Sequence, residues 1–337
     1  MIQQQQNNQS KYFSHKLLYS ITQKYPKHCF AQAINNNNTL LVLGSSIVCK
    51  IIYLKNELKQ LQQTKMHKGA ISTLNFFKSR QQFISGSYDS SIIIQPTNLL
   101  QNLKYITKLQ GHSRGISCLV VNPNTEDLII SGSVDKTIRF WYYSSSSNWS
   151  CSQTINEHND QVNGLSINQD EINKFYQWKD LMDNCGILNK RFLKMVIVLH
   201  LQQQIYLHFN PVMVNIYNYI QLIIPLDYMQ NQKEPQVKGV GSDCQYYFPQ
   251  IYISSRKLLL SKNGYFVNLL QFNFDSENWD CEFIEGIEFD QRGNFGNIFG
   301  TMSDNGEYLI TWDCMAGNIE IRQFTYKNDM NDHQIIN

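Results

Sequence analysis

Histidine, serine and aspartate recur together twice in the first half of this 337-residue chain. The two sets are His67, Ser85 and Asp89, and His112, Ser131 and Asp135. A hydroxyl nucleophile, an imidazole base and an orienting carboxylate are the parts of a hydrolytic triad. An active site occurs once in a chain, however, whereas these residues recur at nearly the same spacing. We therefore interpret both sets as structural and predict no catalytic residue.

Both sets belong to a longer repeat. His67, His112 and His158 stand 45 and 46 residues apart, and each is followed at the fourth and seventh positions by aliphatic residues. Residues 83–89 and 129–135 also align, as Phe-Ile-Ser-Gly-Ser-Tyr-Asp and Ile-Ile-Ser-Gly-Ser-Val-Asp. One unit of this size cannot bury both of its faces alone, so the units must stack on one another.

Short strands and a tight turn position the second set. Residues 116–120 read Ile-Ser-Cys-Leu-Val, which is typical of an inner strand covered on both faces. Residues 128–131 form a second predicted strand, and the β-branched and aromatic residues 137–141 form a third. Asp135 suits the turn between them, because its carboxylate can accept hydrogen bonds from nearby backbone amides.

The stretch from Gly111-His112 to Phe140-Trp141 resembles one WD repeat, which forms one blade of a β-propeller. In that family a loop His, a second-strand Ser, a turn Asp and a third-strand Trp form a buried hydrogen-bonded chain. The resemblance implies this role for His112, for Ser131 or Ser133, and for Asp135 and Trp141. The two serines lie on the same strand face, so the sequence leaves the choice between them open.

The preceding repeat implies a shortened version of this chain. It retains His67, Ser85 and Asp89, but Gln95 stands where the other repeat has Trp141. His158 has lost its third-strand partner. Weaker strand-like runs, without the Gly-His pair, indicate degenerate blades near both ends of the chain.

We therefore predict an all-β fold of the WD-repeat β-propeller class. The chain length corresponds to about 7.5 repeats, within the roughly 4–8 blades of propellers, and we expect seven blades with several degenerate. A single propeller is expected over residues 15–327, between a disordered Gln/Asn-rich tail at 1–14 and a polar tail at 328–337. Within it we expect clear repeats at 65–109 and 110–155, the start of another at 156–170, and degenerate blades at 245–327.

The last blade lacks a fourth strand in the sequence, and Leu17–Ile21 has strand character. We expect this N-terminal strand to complete the C-terminal blade and so remove open sheet edges. Trp312-Asp313 is not the closing dipeptide of a repeat, because it ends a second strand and Arg322 falls at the position of the Trp.

The middle of the chain departs from the repeat, and we expect the blades at about 170–231 to be disrupted. Tyr176-Gln-Trp-Lys179, translated one base later, can encode Ile-Ser-Gly-Lys or Ile-Ser-Gly-Arg, which resembles the missing strand motif. Residues 176–231 are therefore either a divergent segment or an out-of-frame one. No membrane span is expected here, because Gln and Asn interrupt the apolar runs.

Composition narrows the function further. The eight cysteines include no CxxC pair, so we expect the protein to bind neither a metal nor a cofactor. Scattered free cysteines are typical of a reducing compartment, so we expect the protein in the cytoplasm, with the nucleus as an alternative. No signal peptide is expected, since the N-terminus lacks a basic start and an apolar core. The net charge is +2 and the sequence contains no run of basic residues, so we do not expect the protein to bind nucleic acid. We interpret Lys55, Lys59, Lys65 and Lys68 as a solvated surface.

The resemblance implies a non-catalytic protein–protein interaction scaffold or adaptor, monomeric within a multiprotein hetero-complex, that binds proteins or peptides through its faces. Tyr88 and Arg114, next to the blade turns, are the predicted partner-binding residues, since Tyr and Arg are frequent in hot spots. One alternative is a non-functional or mis-translated duplicate of such a propeller. A propeller enzyme is the second alternative, but no non-repeating acidic or histidine cluster supports it. We interpret Glu282, Glu285 and Glu288 as a solvated strand face.

Overall fold

The computed structural model describes most of the two ends of the chain and little of its middle. The described residues are 8–9, 13–22, 29–55, 58–97, 105–144, 148–165, 237–239, 248, 251–275, 278–289, 298–313 and 317–326. They form antiparallel sheets, four of four strands and one of five. No helix among the described residues is long and apolar enough to cross a membrane.

Each sheet is one blade, and the blades are numbered here in chain order. Blade I contains β3 Cys29–Ile34, β4 Leu40–Ser45, β5 Val48–Leu54 and β6 Leu58–Lys65. Blade II contains β7 Ile71–Phe76, β8 Gln82–Ser87, β9 Ser91–Pro96 and β10 Thr107–Gln110. Blade III contains β11 Ile116–Val121, β12 Leu128–Ser133, β13 Ile138–Tyr143 and β14 Trp149–Ile155.

The two remaining blades come from the C-terminal part of the chain and from its N-terminus. Blade IV contains β15 Ile251–Ile253, β16 Leu258–Asn263, β17 Phe266–Asp275 and β18 Asn278–Glu288, with a 3-10 turn at Ser254–Arg256. Blade V contains β19 Ile298–Met302, β20 Tyr308–Asp313 and β21 Asn318–Tyr326, together with β1 Asn8–Gln9 and β2 Phe13–Thr22.

The burial of each strand follows its place in the blade. All six residues of β12 are buried, because a second strand is covered by the blades on both sides. The outer strand β6, by contrast, is exposed at half of its positions. The apolar cores lie between blades: one cluster joins Ile84 and Leu109 of blade II to Ile129 and Trp141 of blade III. These inter-blade cores confirm that the repeats stack as the sequence predicts.

The blades follow one another in an arc. Inner strands β19, β3, β7 and β11 contact one another in that order, which places blades V, I, II and III side by side. Blade IV packs against blade V through a cluster that contains Leu258, Val267, Ile298 and Leu309. The described order is therefore IV–V–I–II–III, as in a β-propeller. The blade number of seven stays a prediction, since residues 166–236 lie outside the described part.

Glycines in the second strands allow the blades to approach closely. A Cβ atom at Gly86 would lie 2.7 Å from Cγ2 of Ile116, the first residue of the next inner strand. This distance is too short for any side chain, so the position requires glycine. The same relation holds for three pairs: Gly44 with Ile71, Gly86 with Ile116, and Gly132 with Val162.

Val162 lies against blade III at the position that Ile116 occupies against blade II. Its amide donates to the Ser133 carbonyl at 3.1 Å. The Ser117 hydroxyl donates to the Val162 carbonyl, just as the Ser72 hydroxyl donates to the Ile116 carbonyl one blade earlier. The repeat whose start we predict at 156–170 is described as far as residue 165. The divergent segment 176–231 and the tail 328–337 lie outside the described residues.

The predicted closure by an N-terminal strand is confirmed. β2 pairs along its length with β21 and becomes the fourth strand of blade V. It begins at Phe13, so the tail boundary that we set at residue 14 lies inside the strand, and β1 pairs with its start. Trp312 lies on the second strand, β20, as expected, and Arg322 lies opposite Leu309 on the third.

Candidate functional site: the histidine networks and the rim of blades II and III

In blade III the four side chains implied by the resemblance form one connected network. His112 Nδ1 lies 2.8 Å from Asp135 Oδ2, and Nε2 lies 2.8 Å from Ser131 Oγ. Trp141 Nε1 donates to the same Ser131 oxygen at 2.9 Å. Since a carboxylate only accepts, Nδ1 carries the proton, and Nε2 of the neutral ring accepts the serine O–H. Every member of the network has a partner.

The geometry settles the choice between the two serines. Ser131 is the member of the network, whereas Ser133 bonds to the backbone of its own blade. The Ser133 hydroxyl donates to the Gly115 carbonyl at 2.8 Å and accepts from the Asp135 amide at 3.0 Å. Ser133 therefore shapes the turn that presents Asp135 to the histidine.

Blade II contains the shortened network. His67 Nδ1 lies 3.0 Å from Asp89 Oδ2, and Nε2 lies 2.8 Å from Ser85 Oγ. Gln95 occupies the tryptophan position and is 2% exposed. Its Oε1 accepts from the Thr64 hydroxyl at 2.9 Å, so the side chain turns to the preceding blade rather than to Ser85. The network of blade II therefore lacks the third-strand donor that Trp141 supplies in blade III.

The protonation states fit a structural role. Burial lowers the pKa of both His67 and His112, against the opposing attraction of their aspartates. Burial tends to raise the pKa of Asp89 and of Asp135, but hydrogen bonds from Ser91 or Thr137, from backbone amides and from the histidines bring each to about 2. At neutral pH each pair is therefore a neutral imidazole that donates to a carboxylate.

Neither network offers an accessible nucleophile. Ser85 and Ser131 are fully buried, and so are the side chains of both histidines. The Ser131 oxygen already has Trp141 and His112 as partners. The arrangement holds a loop, a strand and a turn together, and it repeats from blade to blade as the sequence analysis predicts.

The exposed residues predicted to bind a partner lie side by side on the rim. Tyr88 is 54% exposed and Arg114 is exposed as well. Tyr88 belongs to the β8–β9 turn of blade II, whereas Arg114 belongs to the loop that enters blade III. A Cβ atom on Gly115 would lie 2.6 Å from Tyr88 Cδ1, so the tyrosine ring rests on the backbone next to Arg114. Together they present an aromatic ring and a guanidinium group.

One contact was missed by sequence reasoning. His15 on β2 is buried, and its Nε2 lies 3.1 Å from both carboxylate oxygens of Glu285 on β18. The interpretation of Glu285 as part of a solvated face is therefore wrong, although Glu282 and Glu288 are exposed. The contact joins the closure strand to blade IV. Its partners are 270 residues apart, so no local pattern indicates it.

Glu126 is the second residue that the sequence did not single out. Its backbone has a φ of 54°, in the left-handed region, and its side chain is buried. The carboxylate accepts from the amides of Lys78 and Ser79 and from the Ser79 hydroxyl, all in the β7–β8 turn of the neighbouring blade. Glu126 thus joins blade III to blade II at the end opposite the histidine networks.

Among the residues that the structure describes, the remaining His, Cys, Asp and Glu side chains form no candidate metal site. No group of three or more His, Cys, Asp or Glu placed to hold a metal occurs in the described part of the chain. Burial raises the pKa of the Cys29 thiol to about 11, and those of Cys49 and Cys118 to about 12. These thiols are therefore protonated and act as small apolar side chains.

Comparison with known families agrees with this geometry. The model of the WD domain, G-beta repeat (WD40), matches residues 58–94 and 103–142, which span blade II, parts of its two neighbours and the loops between them. The chain thus carries two WD40 repeats, and the described four-stranded sheets stack side by side as the blades of a β-propeller do. The known mitotic checkpoint complex contains a chain that aligns over 93% of this one and 82% of its own length, at 12% identity and a TM-score of 0.47.

Curated relatives match over short stretches. Pre-mRNA-processing factor 19 homolog 2 of Arabidopsis thaliana is 25% identical over 114 residues, which are 33% of this chain and 20% of that protein. An uncharacterized WD repeat-containing protein of Schizosaccharomyces pombe is 36% identical over 81 residues, 23% of this chain and 20% of its own. Intraflagellar transport protein 122 homolog of Homo sapiens is 32% identical over 112 residues, 32% of this chain and 8% of its own. The match thus spans a fifth or less of each relative.

Proposed function

We propose that this protein is a non-catalytic scaffold or adaptor for protein–protein interactions and a subunit of a multiprotein complex. One observation carries the proposal: the two recurring His-Ser-Asp sets are buried inside blades II and III, whereas the rim beside them presents Tyr88 next to Arg114. Tyrosine and arginine are enriched among the residues that dominate binding energy at interfaces. The WD-repeat relatives support the same role, since propellers of this family generally bind other proteins.

The partner binds across the junction of blades II and III. Tyr88 and Arg114 come from consecutive blades but lie against the same short stretch of backbone. The networks below them fix the turn and the loop that carry these residues, so little conformational entropy is lost when a partner binds. We propose a peptide or protein as partner, the protein itself being a monomer within the hetero-complex, in the cytoplasm or the nucleus.

The test is purification of the endogenous protein. We would tag the protein at its own locus, isolate it under mild conditions and analyse both bait and co-purifying proteins by mass spectrometry. Stoichiometric partners, together with bait peptides from residues 176–231, are the expected result. An intact bait without partners would contradict the proposal. Repeat-like peptides in place of 176–231 would show a wrongly translated sequence, and absence of the protein would favour a decayed duplicate.

A further inference from the structure

The charges of this chain are strongly segregated. Residues 1–121 contain fourteen of the 29 lysines and arginines but two of the 27 aspartates and glutamates, Glu57 and Asp89. The remainder of the chain is correspondingly acidic, and the overall charge of +2 conceals this division. Residues 29–110, which contain blades I and II, carry nine of these fourteen cations and both acids and so form a basic sector, whereas β18 of blade IV carries Glu282, Glu285 and Glu288. A charge-segregated surface steers partners of opposite charge.

Three exposed lysines of blade I form no ion pair with any residue that the structure describes. Lys55, Lys59 and Lys65 are exposed, and no ion pair involves any of them within the described residues. Lys55 and Lys59 lie at one end of the blade, near the start of β6, and Lys65 ends that strand at the rim. The interpretation of these lysines as merely solvated does not explain why residues 29–110 contain nine cations and only two acids.

The strand between these lysines has an unpaired edge. β6 pairs with β5 on one side, and no described strand pairs with its other side. An exposed strand edge presents backbone N–H and C=O groups to which another extended polypeptide can add. Lysines also protect edges from self-association, but β14, which is equally an edge in blade III, contains no lysine. Edge protection alone therefore does not account for the basic sector.

We propose that an acidic, extended polypeptide segment binds along the outer edge of blade I, pairing with β6 between Lys55, Lys59 and Lys65. This assignment rests on the proposed function, because it names the chemistry of one partner of the scaffold. A protein is favoured over a nucleic acid for two reasons. The cations of blade I are all lysines, without the arginines that bind phosphates in bidentate fashion. A free strand edge also offers hydrogen bonds that a polypeptide backbone can satisfy.

The site leads directly onto the rim. Lys65 ends β6, and Lys68 follows it in the loop that enters blade II. The Lys68 amide donates to Asp89 at 2.7 Å, next to Tyr88 in the same turn. An acidic segment that follows β6 towards the rim therefore reaches Tyr88, which connects the edge of blade I to the partner surface proposed above.

The test is binding of fluorescent oligoglutamate to the full chain, compared with a single-stranded RNA of equal charge and an oligoglutamine. The Lys59→Glu/Lys65→Glu variant removes the site. Its matched control is Lys136→Glu/Lys238→Glu, which changes two exposed lysines of other sectors and alters the net charge equally. We expect salt-sensitive oligoglutamate binding that the first variant weakens about tenfold, or about 1.4 kcal/mol, and the control leaves unchanged. Amide exchange of β6 should slow in the complex.

Three outcomes would overturn the proposal. The first is no binding of oligoglutamate at low salt, and the second is an equal loss of oligoglutamate binding in both double variants. The third is tighter binding of the RNA than of oligoglutamate, which would assign the basic sector to nucleic acid. Salt-sensitive self-association abolished by Lys59→Glu/Lys65→Glu would instead assign the edge to β18 of a second copy. If the tagged protein still co-purifies with partners in any of these cases, the scaffold function stands and only the acidic-segment assignment fails.

Discussion

Gln95 occupies in blade II the position that Trp141 occupies in blade III. Gln95 pairs with Phe83 in the register of β8 and β9, as Trp141 pairs with Ile129 in that of β12 and β13. Trp141 donates to the serine of its network, whereas Gln95 turns to Thr64 of the preceding blade. The two blades therefore contain the same network with and without its third-strand member.

This difference predicts that substitutions in the two networks lower the free energy of unfolding by unequal amounts. Trp141→Gln removes a buried indole and its hydrogen bond to Ser131, and should lower the free energy of unfolding by about 2–4 kcal/mol. Ser85→Ala should cost less than Ser131→Ala, because Ser85 has no indole partner to leave unsatisfied. Urea denaturation measures both. Equal costs for the two serine variants would show that the indole adds nothing to the network.

The ionisation of the networks predicts a loss of stability in acid. The folded protein depresses the pKa of His67 and His112, so below about pH 6.5 the unfolded chain binds protons that the folded chain does not. The fold also lowers the pKa of Asp89 and Asp135 to about 2 from the usual 3.8, so further stability is lost as pH falls from 3.8 towards 2.

Calorimetry across this range gives the measurement. Tm should fall as pH drops through 6.5, and His112→Gln should be less stable at pH 8 but show a shallower decline towards acid. A Tm that stays flat or rises between pH 7 and pH 5 would mean that these histidines are protonated in the folded protein.

The contact between His15 and Glu285 predicts that closure of the propeller depends on one carboxylate. Glu285→Gln weakens the attraction for the His15 ring and should speed hydrogen exchange in β2 and β18. Glu282→Gln on the same strand is the control, because Glu282 is exposed and its loss should leave exchange in β2 unchanged. If both variants exchange alike, the contact does not hold the closure strand.

Glu126 should be a stabilising contact between blades. Glu126→Ala leaves the amides of Lys78 and Ser79 without their acceptor and should cost about 1–3 kcal/mol. Glu157→Ala, which changes an exposed glutamate in the loop after β14, should cost less than about 0.5 kcal/mol. Chemical denaturation compares the two, and similar values for both would remove Glu126 from the inter-blade contacts.

Residues that recur from repeat to repeat could be predicted from the sequence, whereas contacts that occur only once between blades could not. The network of His112, Asp135 and Trp141 was foreseeable because the resemblance to a WD repeat implies it, and the His and Asp recur at nearly the same spacing in the neighbouring repeat. Ser131 could not be distinguished from Ser133, since residues two apart share a strand face and only the register places one of them at the histidine. Glu126 escaped attention because its partners lie in the turn of another blade.

The closure strand was predictable from a different kind of information. A last blade short of one strand and a spare strand at the N-terminus are both visible in the sequence, and propeller closure requires that they pair. The contact of His15 with Glu285 was not visible, because it depends on which blades become neighbours after closure. The same holds for Tyr88 and Arg114, whose proximity follows from the packing of blade II on blade III.

The most direct test of the scaffold account is quantitative co-purification with a rim variant. The tagged wild type, Tyr88→Ala/Arg114→Ala and Lys16→Ala would be isolated in parallel, Lys16 being an exposed cation on the outer strand of blade V. Equal Tm values would establish that all three are folded. The account predicts that the rim variant alone loses a stoichiometric partner; retention of every partner by all three proteins would contradict it.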